Sequence, residues 1–180
     1  MRNDLKLAGA LLSLCLLCGC GLTAAEAFRS QYERGQAAYR AGHRIEAIEA
    51  YREALRLRPD SAETHNDLGV ALYDEGESDL AIQEYQRALR LNPDYAEAHN
   101  NLGVALLAAG QLATAVGEYR QAVELQPQFT AARYNLCLGL ELLEQIPEAL
   151  TQCRIVSERD PDRPGVAAAV ERLKSKLVAQ

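Results

Sequence analysis

The 180-residue chain has no tryptophan, two phenylalanines and one methionine, and no lysine occurs between residues 28 and 163. Its three histidines, His43, His65 and His99, have no further ligand cluster beside them at metal-site spacing. No glycine-rich phosphate loop and no nucleophile motif is present. The acidic run Asp74 to Asp79 lacks the alternating ligands of a calcium loop and reads as a turn around Gly76. No catalytic residue, metal, cofactor or small-molecule substrate is therefore expected. From Cys20 onward 17 basic residues face 24 acidic ones, which excludes nucleic acid as the expected partner.

What is present is periodic. Pro59, Pro93, Pro127 and Pro161 stand 34 residues apart. Ala47, Ala81, Ala115 and Ala149 keep the same interval, as do Tyr51, Tyr85 and Tyr119, with Cys153 in the fourth place. Gly35, Gly69 and Gly103 form a third series that ends at Cys137. A period of this length predicts stacked helical hairpins. Gly69 and Ala81 are expected to face each other where two helices cross, because a larger side chain would hold the helices apart. Gly42, Gly76 and Gly110 fall where a first helix must end in a left-handed C-cap, a place taken by Glu144 in the fourth copy. In that copy Pro147 suits the first turn of the second helix. Asp60-x-x-Glu63 and Asp94-x-x-Glu97 read as N-caps with a returning carboxylate.

The string His65-x-x-Leu68-Gly69-x-x-Leu72, Ala81-x-x-x-Tyr85 and Pro93, repeated as His99-x-x-Leu102-Gly103, Ala115-x-x-x-Tyr119 and Pro127, resembles the tetratricopeptide repeat (TPR). The resemblance covers residues 28–163 and implies an all-α, right-handed superhelical solenoid of four helix-turn-helix repeats, 28–61, 62–95, 96–129 and 130–163. His65 and His99 take the repeat's aromatic position and are expected to pack. Residues 164–180 follow as a capping helix, with Val166, Val170, Leu173 and Leu177 on its apolar stripe. At the other end Arg34 replaces the leucine beside Gly35, as an outward-facing terminal repeat tolerates.

In this family the first helices line a concave groove that holds a partner peptide. The positions away from the glycine and leucine series are Tyr32, Gln36 and Tyr39 in copy one, and Asn66, Asp67, Val70 and Tyr73 in copy two. Copy three supplies Asn100, Asn101, Val104 and Leu107, and copy four Tyr134, Asn135 and Leu138. Asn101 and Asn135, in register with Asp67, read either as a partial ladder for an extended backbone, since an amide both donates and accepts, or as ordinary helix-surface residues. The partial ladder is similar to that of O-GlcNAc transferase. A lysine-based clamp for a C-terminal carboxylate is absent.

Residues 1–19 read as an export signal: Arg2 and Lys6, then an uncharged run from Leu7 to Ala25. The run contains Leu17-Cys18-Gly19-Cys20, similar to a bacterial lipobox, with Cys18 a departure at the position usually held by a small residue. Cys20 is the candidate lipidation site and 20–27 a short tether. A signal cleaved near Ala25 or Ala27 and an uncleaved anchor of 19 uncharged residues are the alternatives. All three put the repeats outside the cytoplasm, and Gly21 after the cysteine points to the outer membrane. There Cys137 and Cys153 are either a disulfide or two small buried residues. If Cys137 faced Ala149, Cys153 would lie one turn too far along for easy bonding. The expected function is a non-catalytic scaffold tethered by lipid in the envelope, facing the periplasm and holding a protein or peptide partner there, similar to the pilotins of type IV pili; the alternative is a self-assembling envelope component. Copy one carries seven arginines against five acids and copy two only two arginines against eight.

Overall fold

The computed structural model describes residues 23–179. The proposed signal and Cys20 lie outside the described residues. Among those described there are nine α-helices and no strand: α1 Ala24–Arg40, α2 Arg44–Leu57, α3 Ala62–Glu75, α4 Ser78–Leu91, α5 Ala96–Ala108, α6 Leu112–Leu125, α7 Thr130–Leu142, α8 Ile146–Arg159 and α9 Val166–Val178. Helices α1/α2, α3/α4, α5/α6 and α7/α8 form four hairpins, each packed on the next through its neighbouring helix, and α9 packs on α8. Consecutive first helices also touch one another, with no comparable contact between second helices. The first helices therefore line the inner face of the stack.

The glycine series is explained chiefly by the tyrosine rings. A Cβ placed on Gly35, Gly69 or Gly103 would lie 2.5–2.6 Å from a ring carbon of Tyr51, Tyr85 or Tyr119, closer than any side chain tolerates. The ring of Tyr85 fills the space left at the Gly69 crossing, and at the equivalent Gly103 the Ala115 carbonyl also lies 3.1 Å from such a Cβ. In copy four both members of the pair change together, and Cys137 and Cys153 are joined by a disulfide with Cα atoms 5.4 Å apart. The predicted stretch does not arise, because Cys137 faces the tyrosine position directly. Both cysteines are fully buried.

Turns follow the glycines. Gly42, Gly76 and Gly110 have φ of +80°, +92° and +77°, and Glu144 takes the same left-handed conformation at +59°. Pro147 lies in the first turn of α8. The N-cap expectation needs correction by one residue. Ser61, not Asp60, caps α3 by accepting from the Thr64 amide, and Tyr95, not Asp94, precedes α5 without a side-chain cap. Helix α1 begins inside the stretch read as a tether: Thr23 and Glu26 form a reciprocal capping box. On α9, Val166, Val170 and Leu173 are buried with Ala169, whereas Leu177 is 40% exposed.

Candidate functional site: the inner face

Each repeat contributes the outward side of its first helix to the inner face. Val70, Tyr73, Val104 and Leu107 are half-buried there against the core, forming an apolar floor. At the N-terminal half of the face a hollow of about 160 Å³ is lined by Gln36, Tyr39, Arg40, Tyr51, Asp67 and Val70. Burial pushes the Asp67 carboxyl up, against hydrogen bonds from Tyr32, Asn66 and Gln36 that act to lower it. The Tyr32 hydroxyl donates to Asp67 Oδ2 at 2.9 Å, and Tyr39 donates to Asp74 Oδ2 at 2.6 Å. Burial and that bond to Asp74 push the Tyr39 phenol up to about 12. Both hydroxyls are neutral donors at any physiological pH.

The asparagines do more than sit in register. Asn101 Nδ2 donates to Asn66 Oδ1 at 3.0 Å, and Asn135 Nδ2 donates to Asn100 Oδ1 at 2.9 Å. Each bond spans 35 positions, one repeat plus one residue, as do the two tyrosine bonds. Asn66 and Asn100 are only 5% and 8% exposed. They belong to the interior rather than to the groove surface, which corrects their place in the sequence reading. Asn101 and Asn135 remain partly exposed, each with one amide hydrogen not used in these bonds. The polar row thus joins neighbouring repeats to one another.

Copy four closes the face. Glu141 accepts from Arg172 Nε and Nη2, both at 2.7 Å, and from Lys176 Nζ at 2.8 Å, all from α9. The Arg172 guanidinium and the Lys176 ammonium hold its carboxyl down at about 2, against burial. Tyr134 lies under the connector to α9: a Cβ on Gly165 would meet its hydroxyl at 2.8 Å, and the Arg163 guanidinium stands 5.5 Å from its ring centre. Leu138 and Asn135 stay half-buried beside it. The open part of the face therefore runs from Tyr32 to Leu107.

A second polar series lies at the seams and was missed in the sequence. His65 Nδ1 contacts Glu84 Oε2 at 2.6 Å and its Nε2 contacts the Pro59 carbonyl at 3.0 Å. His99 repeats this with Glu118 and Pro93 at 2.7 and 2.9 Å. In copy four Arg133 donates to Gln152 at 2.6 Å and to the Pro127 carbonyl at 2.9 Å. The histidines are thus hydrogen-bonding staples that tie each first helix to its partner and to the preceding turn. The signal available was the constant 19-residue offset from His65 to Glu84 and from His99 to Glu118. No group of three or more metal-ligating side chains occurs among the described residues.

Two family profiles match this architecture. One, the TPR repeat, matches residues 35–76 and 71–110, and the other, the tetratricopeptide repeat, matches 96–129. Together they span more than half of the chain. It belongs to the tetratricopeptide-repeat family. Solved structures of similar shape include PilF of Pseudomonas aeruginosa, 25% identical with a TM-score of 0.76 over 87% of this chain and 71% of that one. The MamA protein is 22% identical with a TM-score of 0.76, covering 84% and 82%. YrrB, described as a TPR protein with an unusual peptide-binding site, is 22% identical with a TM-score of 0.72, covering 81% and 75%. No curated protein matches in sequence. As a TPR protein the chain is a protein-interaction scaffold, and its inner face is the surface the repeats hold in common.

Proposed function

We propose that this TPR chain is a non-catalytic adaptor, tethered by lipid at Cys20 in the cell envelope, that holds an extended segment of another envelope protein along its inner face. The observation that carries the reading is the open face itself. Val70, Tyr73, Val104 and Leu107 offer an apolar floor, and the spare amide hydrogen of Asn101 offers a donor to a peptide backbone. The 160 Å³ hollow beside Tyr39 and Asp67 has room for one side chain.

One feature supports the envelope assignment and another the processing site. The buried Cys137–Cys153 disulfide is the kind of bond that persists outside the reducing cytoplasm. The Thr23–Glu26 capping box would be destroyed by cleavage after Ala25 but kept by processing at Cys20. No helix among the described residues is long and apolar enough to cross a membrane; the tether proposed here lies before Thr23.

The test is selection from a random-peptide display library on the full chain. Enriched peptides should lose at least roughly tenfold in affinity on Tyr39→Ala or Val104→Glu, as expected for an interface anchor, with unchanged helicity. Enriched peptides indifferent to both substitutions would place binding elsewhere and reject the groove.

A further inference from the structure

The outer side of the array is not uniform. Arg52 and Arg56 on α2 and Arg87 and Arg90 on α4 rim two adjoining hollows of about 330 and 350 Å³ at the seam between copies one and two. All four are exposed. Arg56 pairs with Glu53 at 3.0 Å and Arg87 with Glu84 at 2.6 Å, while Arg52 and Arg90 make no ion pair among the described residues. The equivalent positions at the next seam are Gln86, Arg90, Gln121 and Glu124, and at the last Arg120, Glu124, Ile155 and Glu158. Four arginines in an otherwise acidic chain are thus collected at one corner.

Two further facts orient that corner. The arginines at the C-terminal ends of α2 and α4 are followed by exposed leucines, Leu57 at 39% and Leu91 at 44%. The Arg58 guanidinium stacks 4.1 Å from the ring centre of Phe28 in the second turn of α1. The corner therefore stands at the end of the stack where α1 begins, and Cys20 precedes Thr23 by only three positions. On the tethered reading, a short tether would bring this end of the array nearest the bilayer surface.

We propose that the corner formed by Arg52, Arg56, Arg87 and Arg90 with Leu57 and Leu91 docks on an anionic phospholipid surface, the guanidinium groups on headgroup phosphates and the leucines among them. This rests on the tethered reading and deepens it: the lipid holds the chain, and the arginine corner sets its orientation. The inner face is then turned at a fixed angle to the membrane rather than tumbling on its tether. Arginine suits the task because its planar fork binds phosphate oxygens bidentately.

The experiment is flotation of the unlipidated mature chain, residues 21–180, with vesicles of phosphatidylcholine alone or with about one third phosphatidylglycerol; one basic residue at an anionic surface is worth roughly fivefold in partition. Partition onto the anionic vesicles should exceed that onto neutral ones by at least roughly tenfold at low salt and converge with it at high salt. Arg52→Gln with Arg90→Gln should remove roughly tenfold or more of that excess, while Arg154→Gln, exposed on α8, should leave it intact. Circular dichroism of the variants excludes misfolding as the cause. Equal partition onto both vesicles, or an excess that survives the double substitution, overturns the docking surface. Retention of the lipidated chain on neutral vesicles, and its loss in Cys20→Ser, report on the tether alone, so the two readings fail separately.

Discussion

In copies two and three the helices of a hairpin meet through a glycine beneath a tyrosine ring, Gly69 with Tyr85 and Gly103 with Tyr119. In copy four the same two positions hold Cys137 and Cys153, joined covalently. The seam staple differs in the same way: a histidine between a carboxylate and a proline carbonyl in copies two and three, an arginine between Gln152 and the Pro127 carbonyl in copy four. The turn differs too, with glycine at Gly76 and Gly110 and a left-handed Glu144 in the last copy. What is preserved is the geometric task at each position rather than the residue. Copy four is the hairpin whose groove side is covered by α9, so it bears the end of the stack and has a cross-link where the others have close packing.

This comparison can be broken at three points. The largest effect is expected at the cysteines. Replacing Cys137 and Cys153 with serine should cost about 3 kcal/mol, the stabilisation usual for closing a loop near 15 residues. Denaturant unfolding of oxidised and reduced protein beside the double variant reads this. The converse graft, Gly103→Cys with Tyr119→Cys, should form a second disulfide visible as a mass loss of two hydrogens. Free thiols there would show that the two pairs are not geometrically equivalent.

The staples come next. His65→Ala should destabilise by about 2 kcal/mol, because it leaves the buried Glu84 carboxylate and the Pro59 carbonyl short of a donor. His99→Ala should cost less, since Glu118 is 24% exposed against 11% for Glu84. Importing the copy-four solution, His65→Arg with Glu84→Gln, should recover most of the loss in a thermal melt. Copy one shows the same position without a staple: Gln31 stands there with its Oε1 buried and unpartnered.

The smallest effect is a gain. Glu144→Gly should stabilise by about 0.5–1 kcal/mol, since a residue with a Cβ is strained in the left-handed region and glycine is not. An unchanged or lowered melting temperature would mean that the Glu144 side chain contributes something its backbone conformation does not reveal.

Much of the fold was legible because it depends on local rules repeated in register. Turn glycines, the proline after each hairpin and small residues at crossings act within a few residues of one another, and four copies average out the exceptions. The N-cap assignments missed by one position, Ser61 for Asp60, because acidic and hydroxyl residues are adjacent there and both suit a cap. The inner face was legible only as a set of positions. Tyr32, Val70 and Leu107 could be assigned to it by helical spacing, but Asn66 and Asn100 could not be separated from Asn101 and Asn135. One member of each adjacent pair turns inward as acceptor for an amide from the next repeat.

The sequence by itself determined the period, the helical hairpins, their number and the residues at which they turn, since these follow from backbone preference and apolar spacing. The tertiary structure alone decided which positions meet: 16 residues apart for glycine and tyrosine or the two cysteines, 19 for the staples, 35 for the asparagine and tyrosine bonds. Those offsets are set by how far one helix is shifted along its neighbour and how each repeat is rotated on the last. That stagger is a compromise among all the contacts of the stack and is written in no single repeat.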